Sequence, residues 1–189
     1  MSDDPVSRKT DPAVLGLDRT VVRVAPYQPA WAELFADEAA RLRTALGNRL
    51  LAIEHVGSTS VPGLAAKPIL DLAASVPSLA DGMALLPALQ RLGYEHKADP
   101  EIPERIYLVK GPPEHRTHHL SLADAGSRFW RLHLLFRDLL RAHPALAEEY
   151  ARLKQELARQ HPGDRRAYGA GKKAFIDGAI LRAAGEIGG

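Results

Sequence analysis

Cysteine does not occur among the 189 residues. That removes disulfides, thiolate metal centres and a thiol nucleophile, while leaving the compartment open. Charge imbalance is nearly missing as well, because 25 Lys and Arg stand against 23 Asp and Glu for a formal net charge of +2. So small an excess demands neither a nucleic acid nor an anionic membrane, and any basic character that matters must be local. No uncharged apolar run approaches the roughly 20 residues of a membrane-crossing helix, and Met1 to Arg19 lack the apolar centre of a signal peptide. Neither a serine-histidine-acid spacing nor a dinucleotide glycine pattern is present. The expectation is a soluble, cytoplasmic protein with no membrane or nucleic-acid partner, its oligomeric state left open.

What is present suits one domain with a real core: 46% apolar and 25% charged residues in a chain too short for two ordinary domains. Residues 1–19, polar and proline-containing without periodicity, read as a flexible tail or loosely docked arm, and 20–185 as a single domain. Thr20 to Val24 is a short β-branched run. Pro29 opens a helix from Ala30 to Leu46 that turns Trp31, Leu34, Phe35, Leu42 and Leu46 to one side and stops at Gly47. Strands are predicted over Leu50–Val56, Ile69–Val76, Tyr94–Lys97, Arg105–Lys110 and Arg116–Ala123, the last two as a hairpin. Helices are predicted over Leu79–Leu92, divided by Pro87, over Ser127–His143, from Pro144 to the Pro162-Gly163 break, and over Arg166–Ala184. Without regular βαβ alternation, this is an α+β domain whose mixed or antiparallel sheet of four to five strands is covered by about five helices.

The chain is organised around Ile53 to Leu72, where an apolar strand runs into Gly57-Ser58-Thr59-Ser60 and a second strand carries one carboxylate, Asp71. Glycine lets backbone approach a phosphate closely, and consecutive N–H groups and hydroxyls at Ser58, Thr59 and Ser60 can donate to anionic oxygens. Lys67 adds a cation. A strand aspartate without a local partner makes sense beside a Mg²⁺ carried by nucleotide phosphates. A tight turn with a structural aspartate is the plainer alternative.

The run His55-Val56-Gly57-Ser58-Thr59-Ser60-Val61-Pro62-Gly63-Leu64-Ala65-Ala66-Lys67-Pro68-Ile69-Leu70-Asp71, with Arg116-Thr117-His118-His119-Leu120, resembles the GrpB family over about Val22 to Arg182. The resemblance implies a nucleotidyltransferase-like fold and, with it, Mg²⁺ with a nucleoside triphosphate as cofactor and a nucleotidyl group passed to an acceptor the sequence does not name. That pattern wants a second acid two residues after the first, but position 73 is Ala, and neither strand of the hairpin supplies a third. Those strands offer Arg105, Lys110, Arg116, His118 and His119 instead. Alternation puts His118 and His119 on opposite faces, His119 being assigned to the cleft and His118 to the structure. Asp71 and His119 are therefore the candidate catalytic residues, and Gly57, Ser58, Thr59, Lys67, Arg105, Lys110, Arg116 and Lys172 candidate ligand contacts. His133 and Arg137, four apart on a helix, match the family pattern Trp130…His133…Phe136-Arg137-Asp138 and join them. Glu54 is read as an ion-pair partner. Two other readings stay open: a non-catalytic module for a phosphorylated small molecule, and a metal-dependent hydrolase in which His55, His119 and Asp71 converge on a metal held by Asp71 and His55.

Overall fold

The structure is a computed structural model and describes residues 14–187. Its centre is a five-stranded sheet in the order β1-β2-β5-β4-β3, built from β1 (Ala52–Val56), β2 (Leu70–Val76), β3 (Tyr94–Lys97), β4 (Arg105–Lys110) and β5 (His118–Asp124). Only β2 and β5 run parallel; the other neighbours are antiparallel, and β4 and β5 form the expected hairpin. Among the described residues six helices complete the α+β domain: α1 (Ala30–Leu46), α2 (Leu79–Ala84), α3 (Leu86–Arg91), α4 (Arg128–Ala142), α5 (Pro144–Gln160) and α6 (Arg165–Ile187).

Local chemistry sets most of these boundaries. Pro29 precedes α1, and Gly47 ends it at φ 60°, a conformation that costs glycine little. Pro87 cannot continue a helix begun at Leu79, so it falls in the first turn of a second one. The Ser127 side chain accepts from Trp130 N and caps α4, and Pro144 opens α5.

The two faces of the sheet carry different jobs. On one, Leu70, Leu72, Leu108, Leu120 and Leu122 pack against Trp31, Leu42 and Leu46 of α1 and Leu89 of α3, all within 2% of complete burial. A polar network lies inside this face: Glu38 accepts from Lys110 Nζ at 2.7 Å and from Tyr94 Oη at 3.0 Å. Burial would raise the Glu38 pKa, but the Lys110 hydrogen bond and charge outweigh it and hold the carboxyl below its ordinary value. The other face receives α4 through Val56, Ala73 and Trp130, and α5 and α6 pack beside α4. Between that helical layer and the strands a cavity is left.

Several expectations need correction. Residues 1–13 of the flexible tail or loosely docked arm lie outside the described residues, and Val14 to Arg19 follow the docked alternative. Leu15 and Leu17 are buried, Trp31 Nε1 donates to Val14 O at 2.8 Å, and Gly16 N donates to Pro68 O at 2.7 Å. The β-branched run Thr20–Val24 joins no sheet; Val22 N goes to Pro162 O, and the following Ala25 forms an isolated bridge with Ala66. The last strand begins at His118 rather than Arg116, because Arg116 exchanges its backbone hydrogen bonds with Leu17 of the docked arm. Among the described residues no helix is long and apolar enough to cross a membrane.

Two histidines lie within the packed structure, His55 at 7% and His118 at 9% exposure. Burial pushes the pKa of each down to about 4. The unfolded chain then binds protons that the folded chain refuses, so stability is full above about pH 6.5 and falls as pH drops toward 4. Urea unfolding between pH 7 and pH 5 should show a loss of about 1 kcal/mol per pH unit for each histidine, and His118→Asn should flatten that slope.

Candidate functional site

The floor of the cavity is set by register. In the parallel β2–β5 pair Asp71 stands beside His119, and the pleat turns both toward the helical layer. His119 Nδ1 donates to Asp71 Oδ1 at 3.0 Å, leaving Nε2 for another partner. Tyr107 sets its ring edge against His119 at 5.5 Å between centroids. Arg105 lies 4.3 Å from the Tyr107 ring centroid and donates to Ser121 Oγ at 3.0 Å and Asp99 Oδ2 at 2.9 Å. Asp99 begins the loop to Glu104 that borders the mouth, where Glu104 Oε2 accepts from Phe129 N at 2.9 Å.

One wall is the hydroxyl-bearing bend. Gly57 has φ +69° and crosses so close to Asp71 that a Cβ there would lie 2.5 Å from Oδ2. Ser60 Oγ donates to Gly57 O at 2.6 Å, closing the short 3-10 turn Ser58–Ser60. The Ser58 side chain is hydrogen-bonded to Tyr150 of α5. Opposite the floor, the ammonium groups of Lys67 and Lys172 both approach the Tyr168 ring, at 5.1 and 4.6 Å from its centroid. Burial, then the charges of Lys172 and Arg165, bring Lys67 down to about 8; burial lowers Lys172 as well. Asp71 shows the reverse balance: burial would raise it, but the His119 hydrogen bond and charge, then Lys67 and Lys172, keep it below the ordinary carboxylate range.

The cavity has a volume of about 770 Å³ and gathers Gly57, Ser58, Thr59, Lys67, Asp71, Arg105, His119, His133, Arg137 and Lys172 among its lining. His133 Nδ1 donates to Phe129 O at 2.8 Å and burial lowers its pKa, so the neutral ring keeps Nε2 as an acceptor. Arg137 Nη1 donates to Glu54 Oε2 at 2.6 Å, and Glu54 pairs in register with Ala73, so its carboxylate is spent on the arginine.

Three expected contacts are placed elsewhere. Lys110 pairs in register with His118, turns to the α1 face and is held by Glu38. Arg116 is taken up by Gly111 O and, at 3.3 Å, by Glu95 Oε2. His55 lies in register with Leu72 rather than Asp71, so it also faces α1, stacked on Phe35 at 4.6 Å with Nε2 3.0 Å from Thr59 Oγ1. The convergence of His55, His119 and Asp71 on one metal is therefore not made, and Asp71 and His55 cannot share an ion. Among the described residues no group of three or more metal-ligating side chains is assembled.

The same geometry limits what Mg²⁺ could do. Asp71 is the only strand carboxylate lining the cavity among the described residues, and Ala73 lies fully buried under Val56 and Trp130. A two-metal set of acids does not fit, whereas an ion that arrives on ligand phosphates and touches one carboxylate does.

The sequence reading passed over Tyr107, Tyr150, Tyr168, Arg128, Lys154 and Lys173. A signal existed for three of them: Tyr150 with Lys154, and Tyr168 with Lys172, are spaced i, i+4, so each ammonium meets the ring one turn before it. Gly57→Ala should force the Asp71 carboxylate off His119, whereas Gly63→Ala, at φ +78° with open space around it, should incur only the backbone strain of about 1–2 kcal/mol. Thermal melts of both variants and the His119 ring signals in NMR would compare them.

Known proteins resemble this chain over most of its length. It is 42% identical over 155 residues to UPF0157 protein YqkA of Bacillus subtilis, which covers 82% of this chain but only 45% of that protein. To UPF0157 protein PA4798 of Pseudomonas aeruginosa it is 44% identical over 168 residues, 86% of this chain and 67% of the relative. The crystal structure of conserved protein GrpB from Enterococcus faecalis superimposes with a TM-score of 0.79 at 40% identity, covering 88% of this chain and all of that one. The family model described as GrpB protein matches residues 21–182. The chain belongs to the GrpB family.

Proposed function

We propose that the protein binds a nucleotide, or a closely similar phosphorylated metabolite, in the cavity beneath α4, α5 and α6, and passes a nucleotidyl group from it to an acceptor. One observation carries the reading: Lys67 and Lys172 converge on a single ring opposite Asp71, and among the described residues neither lysine forms an ion pair. Two half-buried ammonium groups in the field of one carboxylate, Asp71, and paired with none are costly unless a further anion joins them. Phosphate oxygens meet that need, with backbone N–H groups of the Gly57–Ser60 bend and the Ser58 hydroxyl as further donors.

Mg²⁺ arriving on the nucleotide would neutralise phosphate charge and polarise the α-phosphate, with Asp71 as its protein contact. His119, oriented by Asp71, presents Nε2 to an acceptor hydroxyl and can take its proton. The loop from Asp99 to Glu104 narrows the mouth and shields the phosphates from water. Arg105, fixed by Asp99, Ser121 and the Tyr107 ring, offers a planar cation to the far end of the ligand.

A second reading has its own support. Ala73 stands where a second acid would be and is covered by Val56 and Trp130, which favours a module that binds the same ligand without turning it over. Calorimetric titration with the common nucleoside triphosphates and Mg²⁺ should give micromolar binding, and silence with all of them would remove both readings. Asp71→Asn should then separate them. Loss of pyrophosphate release with binding retained supports transfer; no release from either form leaves the binding module.

A further inference from the structure

The part of the cavity between α5 and α6 holds more positive charge than its lining shows. Lys154 of α5 is 1% exposed, yet among the described residues its ammonium has one acceptor, the carbonyl oxygen of Ala65, two residues before Lys67. It lies over the Tyr150 ring at 4.8 Å, and Tyr150 in turn is hydrogen-bonded to Ser58. Burial, then the charges of Lys172 and Lys67, bring Lys154 down to about 7. A buried lysine normally has a carboxylate or is replaced by an apolar residue of similar shape. Here three lysines from two helices and one loop meet around two tyrosine rings, and Asp71, the acid whose charge reaches Lys67 and Lys172, is already engaged by His119.

We infer that Lys67, Lys172 and the enclosed Lys154 together form a subsite for a dianionic phosphate group, either a terminal phosphate of the bound nucleotide or a phosphate monoester on its acceptor. The inference deepens the anion-binding reading above and rests on it. Lys67 and Lys172 touch the dianion, and Lys154, behind the Tyr150 ring and the Ala65 carbonyl, acts on it through the field and by holding the Lys67 loop. Lys154 is a positioning residue in this scheme. The charges that reach it are Lys172 from α6 and Lys67 from the loop before β2, its own helix offers the Tyr150 ring, and Arg165 bears on Lys67 rather than on Lys154.

A dianion placed among these lysines favours their charged forms, so occupancy is accompanied by proton uptake. The sign follows: affinity is greatest below about pH 7, where Lys154 is already charged in the free protein. It declines by up to tenfold per pH unit above that for each proton taken up. Sulfate, which does not titrate in this range, serves as the probe for proton uptake, and inorganic pyrophosphate as the probe for affinity.

Calorimetry of wild-type protein with sulfate at pH 8, in two buffers of different ionisation enthalpy, should show net proton uptake. Pyrophosphate should bind without added metal, and Lys154→Met, whose unbranched side chain is one atom shorter and carries no charge, should weaken it at least tenfold and reduce the uptake. If Lys154→Met does not fold, the wild-type proton count decides alone. Absence of sulfate and pyrophosphate binding, or binding with no proton uptake, overturns the inference, as does a folded Lys154→Met with unchanged affinity and uptake. Nucleotide binding without pyrophosphate binding would sink this subsite and leave the proposed function standing, while the converse would do the opposite. Competition between pyrophosphate and nucleoside triphosphate assigns the dianion to the nucleotide, and simultaneous binding assigns it to the acceptor.

Discussion

The parallel pairing of β2 with β5 is the constraint on which the site depends. It is the only parallel contact in the sheet, and its register sets Asp71 beside His119 and Leu70 beside His118. Because strand side chains alternate, a shift of one residue would send Asp71 into the α1 core and bring His118 to the cavity floor. The fully apolar row Leu70, Leu72, Leu120 and Leu122 prevents that shift, since moving it would expose four leucines that are now within 1% of complete burial. The hydrophobic core therefore fixes the polar geometry on the opposite side of the same strands.

The arrangement divides buried polar groups into two classes. Toward α1, each has a partner from the chain: Glu38 with Lys110 and Tyr94, and His55 with Thr59. Toward α5 and α6, cations accumulate without equal anions, and aromatic rings stand beside them. The first class stabilises by satisfying every donor and acceptor out of water. The second does not satisfy itself, which is the physical signature of a place made for something else.

A net charge of +2 concealed this segregation. Many of the acids are spent at the surface or in pairs, such as Glu156 with Arg159 and Asp177 with Lys173, while Lys67, Lys154 and Lys172 are folded inward. Total composition averages over the two populations. The docked arm contributes as well, because Leu17 bridges Arg116 and Gly16 reaches Pro68, beside Lys67.

The sequence by itself determined the elements and the identity of the central bend. Pro29, Gly47, Pro87, Ser127 and Pro144 act locally, so their effects are legible in order along the chain, and alternation sufficed to separate His119 from His118. What only the tertiary structure decided is which strand faces meet. His55 looked available to a metal until the β1–β2 register paired it with Leu72, and Lys110 looked available to a phosphate until the hairpin register turned it to Glu38. Where the arm docks was not legible, because its hydrogen bonds go to residues some fifty and a hundred positions away, Pro68 and Arg116. Lys154 is a mixed case: its i, i+4 spacing from Tyr150 sets it on the apolar face of α5, but only the packing of α5 over the Ala65–Lys67 loop makes it a buried charge. Backbone propensity acts over a few residues, whereas register and burial are set by pairings across the whole chain.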